Sequence, residues 1–102
     1  MKKDNFKTDV VFRKDKNGDI TAYFPYVMAN FKGDVVCYAH VGQHSSADYL
    51  YCIQKEKPAR RIEYCYLKKE LTNLGYNLRV IKKRSYSKYL RALRQVNHEN
   101  TK

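Results

Sequence analysis

The segment TDVVFRKDKNGDITAYFPY, residues 8–26, limits the fold of this chain more than any other part. Two runs rich in β-branched and aromatic residues, 8–13 and 19–24, flank the dipeptide Asn17-Gly18. Asn-Gly adopts the positive φ angles that a tight reversal needs, so the pattern predicts an antiparallel β-hairpin. Pro25 cannot donate a ladder hydrogen bond, and we therefore expect it to end the second strand or to lie at a sheet edge.

Two further strands are predicted in the first half of the chain. The segment VVCYAHVG, residues 35–42, alternates so that Val35 and Cys37 share one face and Val36 and Tyr38 share the other. The apolar run YLYCIQK, residues 49–55, has the composition of a fourth strand. The residues between these runs, QHSSAD, predict a polar connector that follows a bend at Gly42.

The second half of the chain has helical periodicity. In KPARRIEYCYLKKELTNLGY, residues 57–76, four apolar residues follow a 3, 4, 3 spacing that places them on one helix face: Tyr64, Leu67, Leu71 and Leu74. Gly75 is a stop signal, because glycine readily takes the left-handed position after a helix. NLRVIKK then predicts a fifth strand, and SYSKYLRALRQVN predicts a second helix that is capped by Ser85.

These elements predict an α+β fold. Their order, β-β-β-β-α-β-α, is typical of a mostly antiparallel sheet of about five strands with helices packed on one face. At 102 residues the chain is short enough for a single core. We divide it into a core domain, residues 1–84, and a C-terminal basic amphipathic helix and tail, residues 85–102.

Positive charge is concentrated in the second half of the chain. Residues 1–50 hold seven Lys/Arg and six Asp, for a net charge of +1, whereas residues 51–102 hold fourteen Lys/Arg and four Glu, for +10. This asymmetry suggests an anionic partner, which is either nucleic acid or the acidic surface of a protein complex.

The strongest basic signal is RVIKKRSYSKYLRALR, residues 79–94, which has no acidic residue. A continuous basic strip there could neutralise several phosphates; its members are Arg79, Lys82, Lys83, Arg84, Lys88, Arg91 and Arg94. Tyr86 and Tyr89 could stack on bases, but their spacing favours core packing. No RNP1 aromatics, GXXG clamp or zinc finger occurs, so the pattern favours contact with the backbone rather than with the bases.

The loop around HVGQH carries the residue types of a chemical site. Cys37, His40 and His44 have the spacing of a zinc half-site, but positions 37 and 40 of a strand point to opposite faces. His40 or His44 beside Ser45, Ser46 and Asp48 has the residue types of a hydrolase, which are also those of an exposed turn. We expect neither a metal ion nor a cofactor, and we keep His40, Gln43 and His44 as candidates for contact with a partner.

The chain shows no sign of export or of membrane insertion. No apolar run approaches the roughly 20 residues that span a bilayer, and the start, MKKDNFKTDV, lacks the apolar region of a signal peptide. Three widely spaced cysteines are more typical of reduced thiols than of a disulfide framework. We therefore expect a cytoplasmic protein.

The segments around HVGQH and LGYNL resemble a family of short uncharacterised proteins from bacteriophages and mobile elements of gut Bacteroidetes. The resemblance covers roughly residues 8–83 and leaves out the basic tail from residue 84 onward. It implies a context and no roles for individual residues: small basic phage proteins often bind host complexes, defence systems among them. A phage-encoded protein would act in the cytoplasm of the host cell.

Three functions follow as hypotheses. The first is a non-enzymatic protein that binds nucleic acid or a host nucleoprotein complex through residues 79–94, as a host-takeover or anti-defence factor. The second is a small hydrolase or nuclease that uses His40 and His44. The third is a structural or interaction protein that forms a homodimer through a sheet edge or through its tyrosine-rich surface.

Overall fold

The computed structural model describes residues 7–39 and 43–100. The strands and helices follow one another along the chain in the order β1 (Thr8–Lys14), β2 (Ile20–Met28), β3 (Val35–Ala39), β4 (Gln43–Ala47), α1 (Tyr49–Gln54), β5 (Lys57–Pro58), α2 (Arg61–Asn73), β6 (Leu78–Val80) and α3 (Tyr86–Asn100).

The strands form one sheet in the order β4-β3-β2-β1-β5, and β6 also pairs with β1. Every pair is antiparallel except β1–β6, which is parallel. The antiparallel sheet and the three helices confirm the α+β class that the sequence predicts. The parallel strand follows from the crossover through α2, which carries the chain from β5 to β6 along the same side of β1.

Helices cover both faces of the sheet, because β1 has apolar side chains on both of its faces. Val10 and Phe12 pack on one face with Leu67 and Leu71 of α2. Val11 packs on the other face, where partly buried residues of α1 and α3 complete the core. The expectation that helices pack on one face only is therefore wrong: α2 lies on one side, and α1 and α3 lie on the other.

The β1–β2 hairpin forms where the sequence predicts it. Gly18 has a φ of 88°, and the Asp15 carboxylate accepts hydrogen bonds from the backbone N–H groups of Asn17 at 2.8 Å and Asp19 at 3.0 Å. These bonds satisfy donors that the turn would otherwise leave to water.

Pro25 lies inside β2, a central strand, and neither ends the strand nor lies at an edge. The expectation fails because the sheet is irregular at that point: the pairing with β1 extends only to Val11–Tyr23, and the register with β3 shifts between Phe24 and Met28. The missing N–H of Pro25 thus interrupts no regular ladder. The shift also changes which face the side chains of β2 point to. Phe24 packs with α2, whereas Met28, four residues later, packs on the opposite face.

The predicted fourth strand is a helix, and the predicted polar connector is a strand. Residues 43–47 pair antiparallel with β3, and the apolar run after them forms α1. Asp48 caps this helix, because its carboxylate accepts the backbone N–H of Tyr51 at 3.2 Å. Tyr49, Cys52 and Ile53 share a helix face that packs on the core, and a run this short is ambiguous between helix and strand by composition alone.

α2 begins with a carboxylate cap instead of a hydroxyl cap. Glu63 accepts the backbone N–H of Arg60 at 2.8 Å and also pairs with the Lys14 ammonium group. The bond to Lys14, together with the bonds to Arg60, lowers the pKa of Glu63 to about 2. Gly75 ends the helix at a φ of 112°, as predicted. Leu74 is 57% exposed, so it does not join the predicted apolar face.

α3 packs directly against the sheet and has its main element contact with β2. Its Tyr89 belongs to the core beside Val35, and the Tyr89 hydroxyl donates to the carbonyl of Gly33 at 2.9 Å. Gly33 has a φ of 104°, and a Cβ atom at this position would lie 2.1 Å from the Tyr89 hydroxyl. Within the described residues, no helix is long and apolar enough to cross a membrane.

Gly33→Ala should destabilise the protein by about 2–4 kcal/mol, because it adds a steric clash with α3 to the strain of a positive φ. Gly18→Ala is the matched control. It also carries a positive φ, at 88°, but has no atom within 4 Å of the added Cβ, so only the backbone strain of about 1–2 kcal/mol applies. Urea unfolding measures both variants, and equal losses of stability would contradict the docking of α3 on Gly33.

Candidate functional site

The first part of the site is an ion pair between neighbouring strands. The parallel register sets Arg79 of β6 opposite Asp9 of β1, and the Arg79 Nε donates to Asp9 Oδ1 at 2.6 Å. This hydrogen bond raises the pKa of Arg79 above its ordinary value. The pair fixes the direction of the guanidinium, which is still 55% exposed. Arg79 can therefore contact a ligand from a defined position, although Asp9 neutralises part of its charge.

The second part is the beginning of α3. Lys88 donates its backbone N–H to Ser85 Oγ at 3.4 Å, which agrees with the predicted cap. The backbone N–H of Ser85 donates to the Tyr26 hydroxyl at 2.8 Å, and the Lys88 ammonium lies 5.4 Å from the centre of the Tyr26 ring. Tyr26 thereby anchors the start of the helix to β2.

Between these two parts lies an open concavity that we call the basic groove. It is defined by four cationic side chains around Tyr26: Arg79, Lys83, Lys88 and Arg91. Lys88 and Arg91 stand three residues apart on α3, so they lie on the same side of the helix. The positive end of the α3 dipole adds to the field of these four cations. Asp9 is the one carboxylate in the lining.

The remaining members of the predicted strip lie elsewhere. Arg84 is half-buried, with its guanidinium 4.3 Å from the ring centre of Tyr49 and 3.7 Å from that of Tyr89. This contact joins α1 to α3 and gives Arg84 a structural role. Lys82 and Arg94 are exposed but do not line the groove.

The two tyrosines of α3 have different environments. Tyr89 packs in the core, as its position on the apolar face predicts. Tyr86 is 63% exposed, and its ring centre lies 6.2 Å from that of Tyr89. An exposed aromatic ring at the start of α3 provides a flat apolar surface on which a base can stack.

The described part of the HVGQH segment, Gln43 and His44, belongs to β4. His40 is outside the described residues, and Gln43 forms part of the backbone of β4. His44 Nε2 lies 2.8 Å from the Tyr76 hydroxyl, and its ring contacts Tyr38 at a centre-to-centre distance of 4.8 Å. These partners belong to the face that α2 covers. His44 and the basic groove are therefore on opposite faces and do not form a single site.

Of the three residues with the spacing of a zinc half-site, the structure describes Cys37 and His44, and these two lie on opposite faces of the sheet. Cys37 is buried on the face of α1 and α3, with its Sγ 3.2 Å from Ser45 Oγ, whereas His44 lies on the face of α2. Among residues 7–39 and 43–100, no group of three His, Cys, Asp or Glu side chains is placed to hold a metal ion. Cys37, Cys52 and Cys65 are free thiols.

Comparisons with protein-family models, curated proteins and solved structures found no match to this chain.

Two features near the site were not found by sequence reasoning. Tyr26 was missed because simple alternation from Phe24 places it on the face of α2, and only the irregularity of β2 turns it toward α3. A second group of lysines, at the β1–β2 turn, was missed because its members are far apart in the sequence. The one sequence signal for Tyr26 is Pro25, since proline in a strand often accompanies an irregular ladder.

Arg84→Ala should lower the stability of the protein by about 1–2 kcal/mol, because it removes a guanidinium that stacks on two tyrosine rings. Lys82→Ala, the control at a neighbouring exposed lysine, should change the stability by less than about 0.5 kcal/mol. Thermal unfolding followed by circular dichroism measures both. Equal stability of the two variants would show that the contacts of Arg84 do not stabilise the packing of α1 and α3.

Proposed function

We propose that this protein is a non-enzymatic nucleic-acid-binding protein that contacts the phosphate backbone through the basic groove. The convergence of four cations from separate elements on one concavity supports the proposal most strongly. Arg79 comes from β6, Lys83 from the connection that follows it, and Lys88 and Arg91 from α3. We would not expect a lysine-rich surface that binds no anionic partner to have four cations together in one concave site.

The side chains of the groove suit a phosphate group better than an apolar ligand. Ammonium and guanidinium groups form charge-assisted hydrogen bonds with phosphate oxygens, and their binding releases counterions from a nucleic acid. Ser87, which also lines the groove, adds a hydroxyl donor. The groove is open to solvent, as the binding of a polymer requires. We expect binding that depends little on sequence, since no base-reading module is present in the sequence.

A host nucleoprotein complex is the setting that we propose for this activity. The resemblance to proteins of phages and mobile elements supports a factor that acts on the nucleic acid of a host complex, for instance one used in transcription or defence. An acidic protein surface offers a similar pattern of negative charge. Competition with a polyanion that lacks bases, such as heparin, separates general charge binding from binding that also uses base stacking on Tyr86.

Replacing Lys83, Lys88 and Arg91 together by alanine should weaken binding to a nonspecific oligonucleotide by about 10-fold to 1000-fold at low salt. The slope of log K against log salt should also fall by about 2 to 3, because each lost phosphate contact removes close to one unit. Fluorescence anisotropy of a labelled 12-nucleotide strand, titrated at four salt concentrations, measures both quantities.

The matched control removes the same charge from the opposite side of the sheet. Arg61, Lys68 and Lys69 lie on α2, and their triple alanine variant should keep at least a third of the wild-type affinity. Circular dichroism verifies that both variants are folded. The proposal fails if the two variants lose affinity equally, or if the wild-type protein does not bind nucleic acid.

A further inference from the structure

A second group of lysines lies at the far end of β1 from the basic groove. The surface around the β1–β2 turn is lined by four lysines, which we call the hairpin-end cluster: Lys14, Lys16, Lys55 and Lys57. Three lie on or next to β1 and β5, and Lys55 follows α1. Residues that are 40 positions apart in the sequence are thus brought to one place by the pairing of β5 with β1.

The charge of the hairpin-end cluster is only partly neutralised. Lys14 pairs with Glu63, and Lys55 donates to the Tyr51 hydroxyl, which is neutral, at 2.6 Å. Lys16 and Lys57 are exposed, and neither forms an ion pair with another residue in the described ranges. Asp15 is the carboxylate of the lining, and it is held by the backbone of its own turn.

The hairpin-end cluster and the basic groove lie in line along one edge of β1. Lys57 is opposite Lys14 in the antiparallel pair, and Arg79 is opposite Asp9 in the parallel pair. These positions are five residues apart on β1, so their Cα atoms lie about 17 Å apart at roughly 3.4 Å per residue. Because successive side chains of a strand alternate, Lys14 and Lys57 point to the face of α2, where Lys14 pairs with Glu63, and Arg79 points to the face of α3. A nucleic-acid strand that reaches both sites must therefore cross the edge of the sheet.

One exposed lysine, Lys82, follows the edge between the two sites. Ala59 donates its N–H to the carbonyl of Phe12 at 3.1 Å, and Ile81 donates to that of Val10 at 2.9 Å. The two short strands therefore meet near the middle of β1. Lys82, which is exposed, follows Ile81 directly in the chain, next to the place where the two short strands meet.

This spacing distinguishes a polymer from a small anion. Successive phosphates of one strand rise by about 3.4 Å in a B-form helix, and a single strand can extend further per nucleotide, so at most about five nucleotides are needed to cover the distance of about 17 Å. A free phosphate or a mononucleotide reaches only one of the two sites. A longer strand reaches both, and the second contact then forms at a high effective concentration.

We propose that the hairpin-end cluster is a second phosphate-binding site for the nucleic-acid strand that the basic groove holds, so that the strand runs along the edge formed by β5 and β6. This inference rests on the function proposed above and adds a direction and a minimum length to it. A strand of about six nucleotides is long enough for full affinity, whereas a trinucleotide without terminal phosphates has only two adjacent phosphates and occupies the groove alone.

The test compares Lys16→Ala/Lys57→Ala with wild-type protein on single strands of 3 and 12 nucleotides of the same base composition. Both lysines are exposed, so the variant keeps its core. Binding of the 12-nucleotide strand should weaken by about 10-fold, as expected for the loss of two phosphate contacts. Binding of the 3-nucleotide strand, measured by nuclear magnetic resonance titration at low salt, should change by less than twofold. For each strand, the affinity of the variant is divided by the affinity of the wild-type protein. A longer strand offers more overlapping positions for binding, and this factor cancels in the ratio.

The control variant is Arg61→Ala/Lys69→Ala, which removes two exposed charges from α2 and should weaken both strands by less than twofold. Equal weakening of the short and long strands by Lys16→Ala/Lys57→Ala, or no weakening of either, would overturn this inference while leaving the groove as a binding site. If wild-type protein bound neither strand, the proposed function and this inference would fail together.

Discussion

β1 is buried on both of its faces, and the positions of the other elements follow from what that burial requires. Val10, Val11 and Phe12 are 0%, 1% and 4% exposed, and successive residues of a strand point in opposite directions. Each of these side chains contributes about 1.5–3 kcal/mol when it is removed from water. One layer of helices cannot cover both directions, so α2 must lie on one face while α1 and α3 lie on the other.

The same constraint sets the edges of the sheet. β1 is paired with β2 on one side, and its remaining backbone groups need partners on the other. Two short strands share this task, β5 toward the hairpin and β6 toward the beginning of β1. Both come from the basic half of the chain, and positive charge therefore accumulates along this edge. On the opposite side of β2, the strands β3 and β4 contain no Lys, Arg, Asp or Glu. The charge asymmetry of the sequence thus becomes an asymmetry across the sheet, and this supports a polyanion on the β5–β6 side.

α3 connects the fold to the proposed function. The hydroxyl of Tyr89 reaches the backbone of Gly33, and Tyr26 accepts a hydrogen bond at the start of the helix. The guanidinium of Arg84 stacks between α1 and α3. These contacts are made by one side of α3, which leaves Lys88 and Arg91 on the exposed side. Two of the four cations of the groove, Lys88 and Arg91, are therefore held by a packed helix, and a preorganised site loses less conformational entropy on binding than a flexible tail would.

The sequence predicted most of the fold and only part of the candidate site. The β1–β2 hairpin, α2 and α3 were predictable because Asn17-Gly18, Gly75 and Ser85 are local signals that act without tertiary contacts. The exchange of strand and helix at residues 43–54 was not, since a short apolar run fits either period and the Asp48 cap is a single weak cue. Charge indicated the region of residues 79–94, but sequence proximity alone could not separate Arg84, which packs on tyrosines, from Lys83, which faces the groove.

We propose that nucleic acid binds along the basic edge of the sheet. A titration of ¹⁵N-labelled protein with a 12-nucleotide strand shows directly which residues the strand contacts. We expect amide chemical shifts to change in residues 79–91 and at Tyr26, with smaller changes at the β1–β2 turn. The shifts of α2 and β4 should remain nearly constant. Changes concentrated at β4 and around His44 would contradict the account, because they would place the binding surface on the opposite edge.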